Sequence, residues 1–166
     1  MNTQTIKLRR HISYLIWFFM VSLALSGLTA MPAREGVVFL LSIIPSSWSF
    51  AYEYLTYIKE ALFSCNVILF YGYDWLAFAH IILAILFYGV IKDPVRNIWV
   101  VEFGMIACIL IIPFAFVMGS IRGIPVWWRL VDCSFGVFGI IPLWLVRNKV
   151  LALQKLIETE NVNIIF

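Results

Sequence analysis

Charge is what this chain has least of. Only 13% of its 166 residues are Asp, Glu, Lys or Arg, about half the share of an ordinary soluble domain. With 63% hydrophobic and 17% aromatic residues, a water-solvated fold of this length has nowhere to hide its apolar surface, so a lipid-embedded chain is expected. The net charge of +3 is small. Its basic residues stand beside apolar runs rather than in a patch, which argues against a nucleic-acid partner. Histidine occurs twice, as His11 and His80. The three cysteines, Cys65, Cys108 and Cys133, form no CxxC pair and no zinc spacing, so no metal site is expected. Cys108 and Cys133 read as small apolar packing residues, while Cys65 reads equally as a free thiol or an anchor to a partner. No GxxxxGK, HExxH or GxSxG occurs, and nothing sets a nucleophile beside a base. No catalytic residue is assigned, and enzymatic activity is not expected.

What is present is length of apolar helix. Crossing about 30 Å of hydrocarbon takes roughly 20 helical residues. Four segments meet that need: about 11–30, 74–90, 98–118 and 130–145. Tyr71, Tyr73, Trp127 and Trp128 extend the second and fourth into the interface. The expected fold is an all-α membrane protein, one domain over 1–166, with four transmembrane helices. The first segment resembles a signal peptide in its basic start (Lys7, Arg9, Arg10) and in Ala24-Leu25-Ser26. A retained anchor is favoured, because the run stays apolar beyond that point. Ser22, Ser26 and Ala30 also repeat small residues every fourth position, a face for close helix packing. Gly136 and Gly139 offer another on the fourth segment, and Pro113 and Pro142 should kink their spans.

Charge sets the orientation. Alternating four spans puts Lys7, Arg9, Arg10, Lys92, Arg96, Arg147, Lys149 and Lys155 on one side, and Arg34, Lys59, Arg122 and Arg129 on the other. The richer side is cytoplasmic by the positive-inside rule, so both termini are expected in the cytoplasm. The long connection, 31–72, then faces outside. Within it Val37–Ile44 is apolar but too short to cross and is stopped by Pro45. Residues 49–64 read as an amphipathic helix, with Ala51, Leu55, Ile58 and Leu62 on one face and Glu53, Thr56 and Glu60 on another. An interfacial position between the first and second spans is expected for it, with a protein-docking face as the alternative.

Few residues offer chemistry. Ionisable groups at membrane depth usually face the interior and mark sites. Asp74, His80, Arg122, Arg129 and Asp132 all fall toward the outer side. They form either a structural ion network or a small pocket for an anion, a lipid headgroup or a proton. Asp74 is six residues from His80 and hence on another helix face, so a partner for the imidazole is expected from the fourth span. On the inner side Glu102 has Arg9, Arg10 and Arg96 as candidate ion-pair partners, a lock between the first and third spans. Haem is not expected: bis-histidine ligation needs two imidazoles at one depth, whereas His11 and His80 fall at opposite sides. A His/Met site using Met105 or Met118 is the residual form of that idea. Transport is disfavoured by the lack of an inverted repeat.

The stretches "WLAFAHIILAILF", "DPVRNIWVVEFGMIACILIIPFAF" and "IRGIPVWWRLVDCSFGVFGIIPLWL" resemble a group of small four-helix integral membrane proteins of bacteria. The resemblance covers most of the last three spans. It implies a bacterial inner (cytoplasmic) membrane and carries no activity, cofactor or site residue. The expected function is therefore a non-catalytic accessory or scaffold subunit, with the bilayer and other membrane subunits, or a second copy, as partners. A ligand- or proton-binding protein built around His80 is the rival, and a b-type haem subunit comes third.

Overall fold

A computed structural model describes the backbone of residues 3–165 and the side chains of residues 3–160; Met1, Asn2 and Phe166 lie outside the described residues. The described chain is all-α. Six helices follow in order: α1 (Thr3–Ala30), α2 (Ala33–Ile43), α3 (Ser49–Ser64), α4 (Val67–Lys92), α5 (Ile98–Ile121) and α6 (Val126–Ile165). Four of them, α1, α4, α5 and α6, are long and apolar enough to cross a membrane. They outrun the four apolar segments: in α1 and α6 the helical hydrogen-bond ladder continues into polar sequence, and in α4 it takes in the apolar stretch from Val67 to Tyr73. The largest excess is in α6, 40 residues without a break. Both Pro113 and Pro142 lie inside continuous helix.

The described chain divides into two compact units, one of residues 3–20 with 85–165, the other of residues 21–84. In the first, α5 packs along α6. The approach is close because Gly136 of α6 lies against the Cys108 carbonyl of α5, and Gly139 lies against the Cys108 thiol. The small-residue face expected on the fourth segment is thus used, and Cys108 is the packing residue it was read to be. The core of this unit holds Ile12, Ile16, Val90, Val100, Val101, Leu143, Val146, Val150 and Leu153, all essentially inaccessible. Leu143, Val146, Val150 and Leu153 step by three and four, the seam of a helix that buries one stripe. Two tight corners close the unit. At the first, the Asn97 amide donates to the carbonyls of Gly89 and Asp93, and the Asp93 carboxylate accepts from the Arg96 N–H. At the second, Gly123 takes φ +67°, a left-handed turn that a Cβ would disfavour.

In the second unit α2 packs against α3 as a short helical hairpin. The α3 face foreseen from periodicity, Ala51, Leu55, Ile58 and Leu62, is the inward one: Leu55 is buried and the other three are half-buried. Val37 is its buried counterpart on α2. Close packing between α1 and α4 falls on Gly27, whose missing side chain leaves room for the Ala77 carbonyl. Gly27 stands beside the Ser22, Ser26 and Ala30 row picked out above, not in it.

Candidate functional site

The densest set of directed interactions in the second unit centres on Arg34, in the first turn of α2. Its Nε donates to the Leu62 carbonyl at 3.1 Å and its Nη2 to the Cys65 carbonyl at 3.5 Å. These carbonyls belong to the last turn of α3 and to its C-cap, where four acceptors have no partner in their own helix and the macrodipole is negative. A cation is the natural cap. The guanidinium also lies 4.4 Å from the centroid of the Phe70 ring and 5.4 Å from that of Phe63, cation–π contacts that need no counter-ion. Arg34 thus ties α2, the end of α3 and the first turn of α4 together.

Beside it an open cleft of about 630 Å³ is lined by Arg34, Glu35, Val38, Phe39, Ser42 and Phe63. Among the described residues the Nη1 group of Arg34 has no hydrogen-bond partner, and the exposed Glu35 makes no ion pair. A guanidinium with Nη1 still to donate and a carboxylate without an ion pair therefore share, at adjacent positions, a cleft whose remaining walls are chiefly apolar. Sequence reading assigned Arg34 only to a side of the membrane. Its partners are 28 and 31 residues away, and no local pattern reports such a pairing.

The residues singled out from sequence fall as follows. The His80 ring is 3.1 Å, through Nδ1, from the Leu76 carbonyl one turn back on α4, a partner within its own helix. Its Cβ lies where a side chain on Gly27 would stand. Asp74 is exposed on α4, Arg122 is exposed at the C-cap of α5, and Asp132 is half-buried on α6. Arg129 donates from Nε to the Ile124 carbonyl at 2.7 Å and from Nη1 to the Ser120 hydroxyl at 2.8 Å. Its aliphatic stem fills the space above Gly119, so Arg129 staples the α5–α6 turn.

Glu102 accepts from Arg147 Nε at 2.9 Å. That is the one ion pair among the described residues, and it joins α5 to α6. Arg9, Arg10 and Arg96, the partners considered from sequence, are not in it. Arg147 lies 45 residues away, beyond the end of the fourth apolar segment. Among the described residues no group of three or more His, Cys, Asp or Glu is placed to hold a metal ion.

Fold and geometry define the class as an all-α protein with four candidate membrane spans and a short helical hairpin between the first two. Comparison with protein-family models, with curated proteins and with solved structures finds no match to this chain. The resemblance of the last three spans to small bacterial membrane proteins accordingly rests on the residues quoted for it.

Proposed function

We propose that this chain is a non-catalytic integral subunit of a bacterial inner membrane, crossing it four times with both termini in the cytoplasm, and that it acts as an accessory or scaffold for other membrane proteins. One observation carries the reading. Phe103, Ile106, Leu110, Phe114, Val117 and Ile121 of α5 are all exposed, and their spacing of three and four puts them on one face. From Phe103 to Ile121 that face runs about 27 Å at 1.5 Å per residue, close to the thickness of the hydrocarbon core. Water would solvate so large an apolar strip poorly; acyl chains or an apolar partner helix would not.

The remaining elements fit the same arrangement. The α2–α3 hairpin is joined to α1 by Met31 and Pro32 alone and to α4 by Cys65 and Asn66 alone. Two extended residues reach only about 7 Å, so helices crossing at α1 and α4 would hold the hairpin at the outer face, as an interfacial element. Exposed aromatics on it, Phe39, Trp48, Phe50 and Tyr57, suit that depth, where aromatic rings with polar surroundings collect. Small residues at the close contacts suit association of helices in lipid.

The test is purification in a gentle detergent after washing the membranes with alkaline carbonate. The chain is expected to stay with the membrane and to leave it in stoichiometric company with a second membrane protein. Release by carbonate would remove the membrane reading. Purification as a lone monomer would remove the subunit reading, and a Soret absorbance would replace it with a redox one.

A further inference from the structure

The cleft beside Arg34 has the chemistry of a lipid headgroup site. We propose that it binds a phospholipid whose headgroup carries both a phosphate and a primary ammonium, the ethanolamine class. The inference rests on the membrane reading above, which places the hairpin at the outer face. Arg34 is held from below by the Leu62 and Cys65 carbonyls and by two rings, which fixes the guanidinium and leaves Nη1 to donate. A fixed guanidinium suits phosphate, since little freedom remains to be lost when the contact forms.

Glu35 follows directly and lines the same cleft. A carboxylate there works against a purely anionic ligand, because it repels the phosphate that Arg34 attracts. It works for a zwitterion, whose ammonium it can take while Arg34 takes the phosphate. Ser42 adds a hydroxyl, and its Oγ donates to the Phe39 carbonyl, which leaves its lone pairs to accept. Val38, Phe39 and Phe63 supply apolar walls along which the first segments of an acyl chain can lie. The occupant of the cleft is set by charge as well: 31–66 contains Arg34 and Lys59 against Glu35, Glu53 and Glu60. That balance gives the hairpin no general attraction for an anionic surface.

The experiment uses the full chain in nanodiscs made of equal parts ethanolamine phospholipid and phosphatidylglycerol, with bound lipid read by native mass spectrometry after gentle release. The unchanged protein is expected to retain the ethanolamine lipid preferentially. Glu35→Gln changes an exposed side chain that holds nothing in place. It should reverse the preference toward phosphatidylglycerol by about tenfold, the scale of one charge-assisted contact. Arg34→Lys keeps a charge and loses the fork, and should weaken retention of both lipids.

Water-soluble glycerophosphoethanolamine and inorganic phosphate serve as competitors. Neither should displace the lipid at equal concentration, and displacement by either would reassign the cleft to a free phosphate compound. Retention of lipids in bulk proportion, or an unchanged preference in Glu35→Gln, would overturn the proposal while leaving a carbonate-resistant protein in the membrane. Loss of the membrane reading shows itself separately, as release by carbonate.

Discussion

A Cβ at Gly136 would collide with the Cys108 carbonyl, whereas a Cβ at Gly72 would meet nothing within 4 Å. Both are glycines inside helices, so helix propensity alone favours alanine at each by about 1 kcal/mol. At Gly136 the clash reverses the sign: α5 and α6 must separate or bend, at a cost of about 1–3 kcal/mol. Thermal unfolding in detergent should therefore show Gly136→Ala melting lower than the unchanged protein and Gly72→Ala melting the same or higher. The Glu102–Arg147 bridge belongs at the opposite end of the scale. Both side chains are more than a third exposed, and solvated pairs are worth about 0–1 kcal/mol. Glu102→Gln should change the melting temperature little. A large drop would mean that the pair is shielded by something bound over it, a partner or a lipid.

Among the elements, the hairpin and α6 separate what a sequence pattern reports from what it does not. The bounds of α3 and its inward face were legible, because amphipathic periodicity is a local signal and Leu55 and Leu62 obey it. The Arg34 cap, the Arg147 bridge and the Arg129 staple were not. The first two pair residues far apart in the chain, and the third depends on a turn whose shape is set by Gly123. The tail from Arg147 reads in sequence as the start of a cytosolic helical extension, and α6 does run on through it: beyond Leu145 polar residues dilute the average hydropathy while one stripe stays apolar.

That stripe makes a prediction. The 40 residues of α6 extend about 60 Å, twice the hydrocarbon thickness. Its second half buries Val146, Val150 and Leu153. Ala152 is exposed, so Ala152→Pro removes no core atom but breaks the ladder, for about 3 kcal/mol or more. Protease sensitivity of the C-terminal half should rise sharply, while Ala152→Ser should be silent. The free thiols report position: Cys65, at the end of the hairpin, is half-buried, while Cys108 on α5 and Cys133 on α6 are buried. A membrane-impermeant maleimide added to spheroplasts should label Cys65 and spare the other two. Labelling of Cys65 only after lysis would put the hairpin on the cytoplasmic side.

For the whole molecule, the account stands on how apolar surface is distributed. The inaccessible side chains gather in the first half of α1, the end of α4, the start of α5 and the middle of α6, whereas large apolar residues remain exposed along all four long helices. A protein folded in water would turn that distribution inside out. On the membrane reading proposed above, lipid would remove the penalty, and the excess of Lys and Arg on one set of connections would set which way the helices point. The most direct test is a pair of fusions, one at each terminus, to a reporter that fluoresces only when folded in the cytoplasm. The account predicts signal from both. Signal from one terminus with silence from the other, at equal expression, would mean an odd number of crossings and would contradict it.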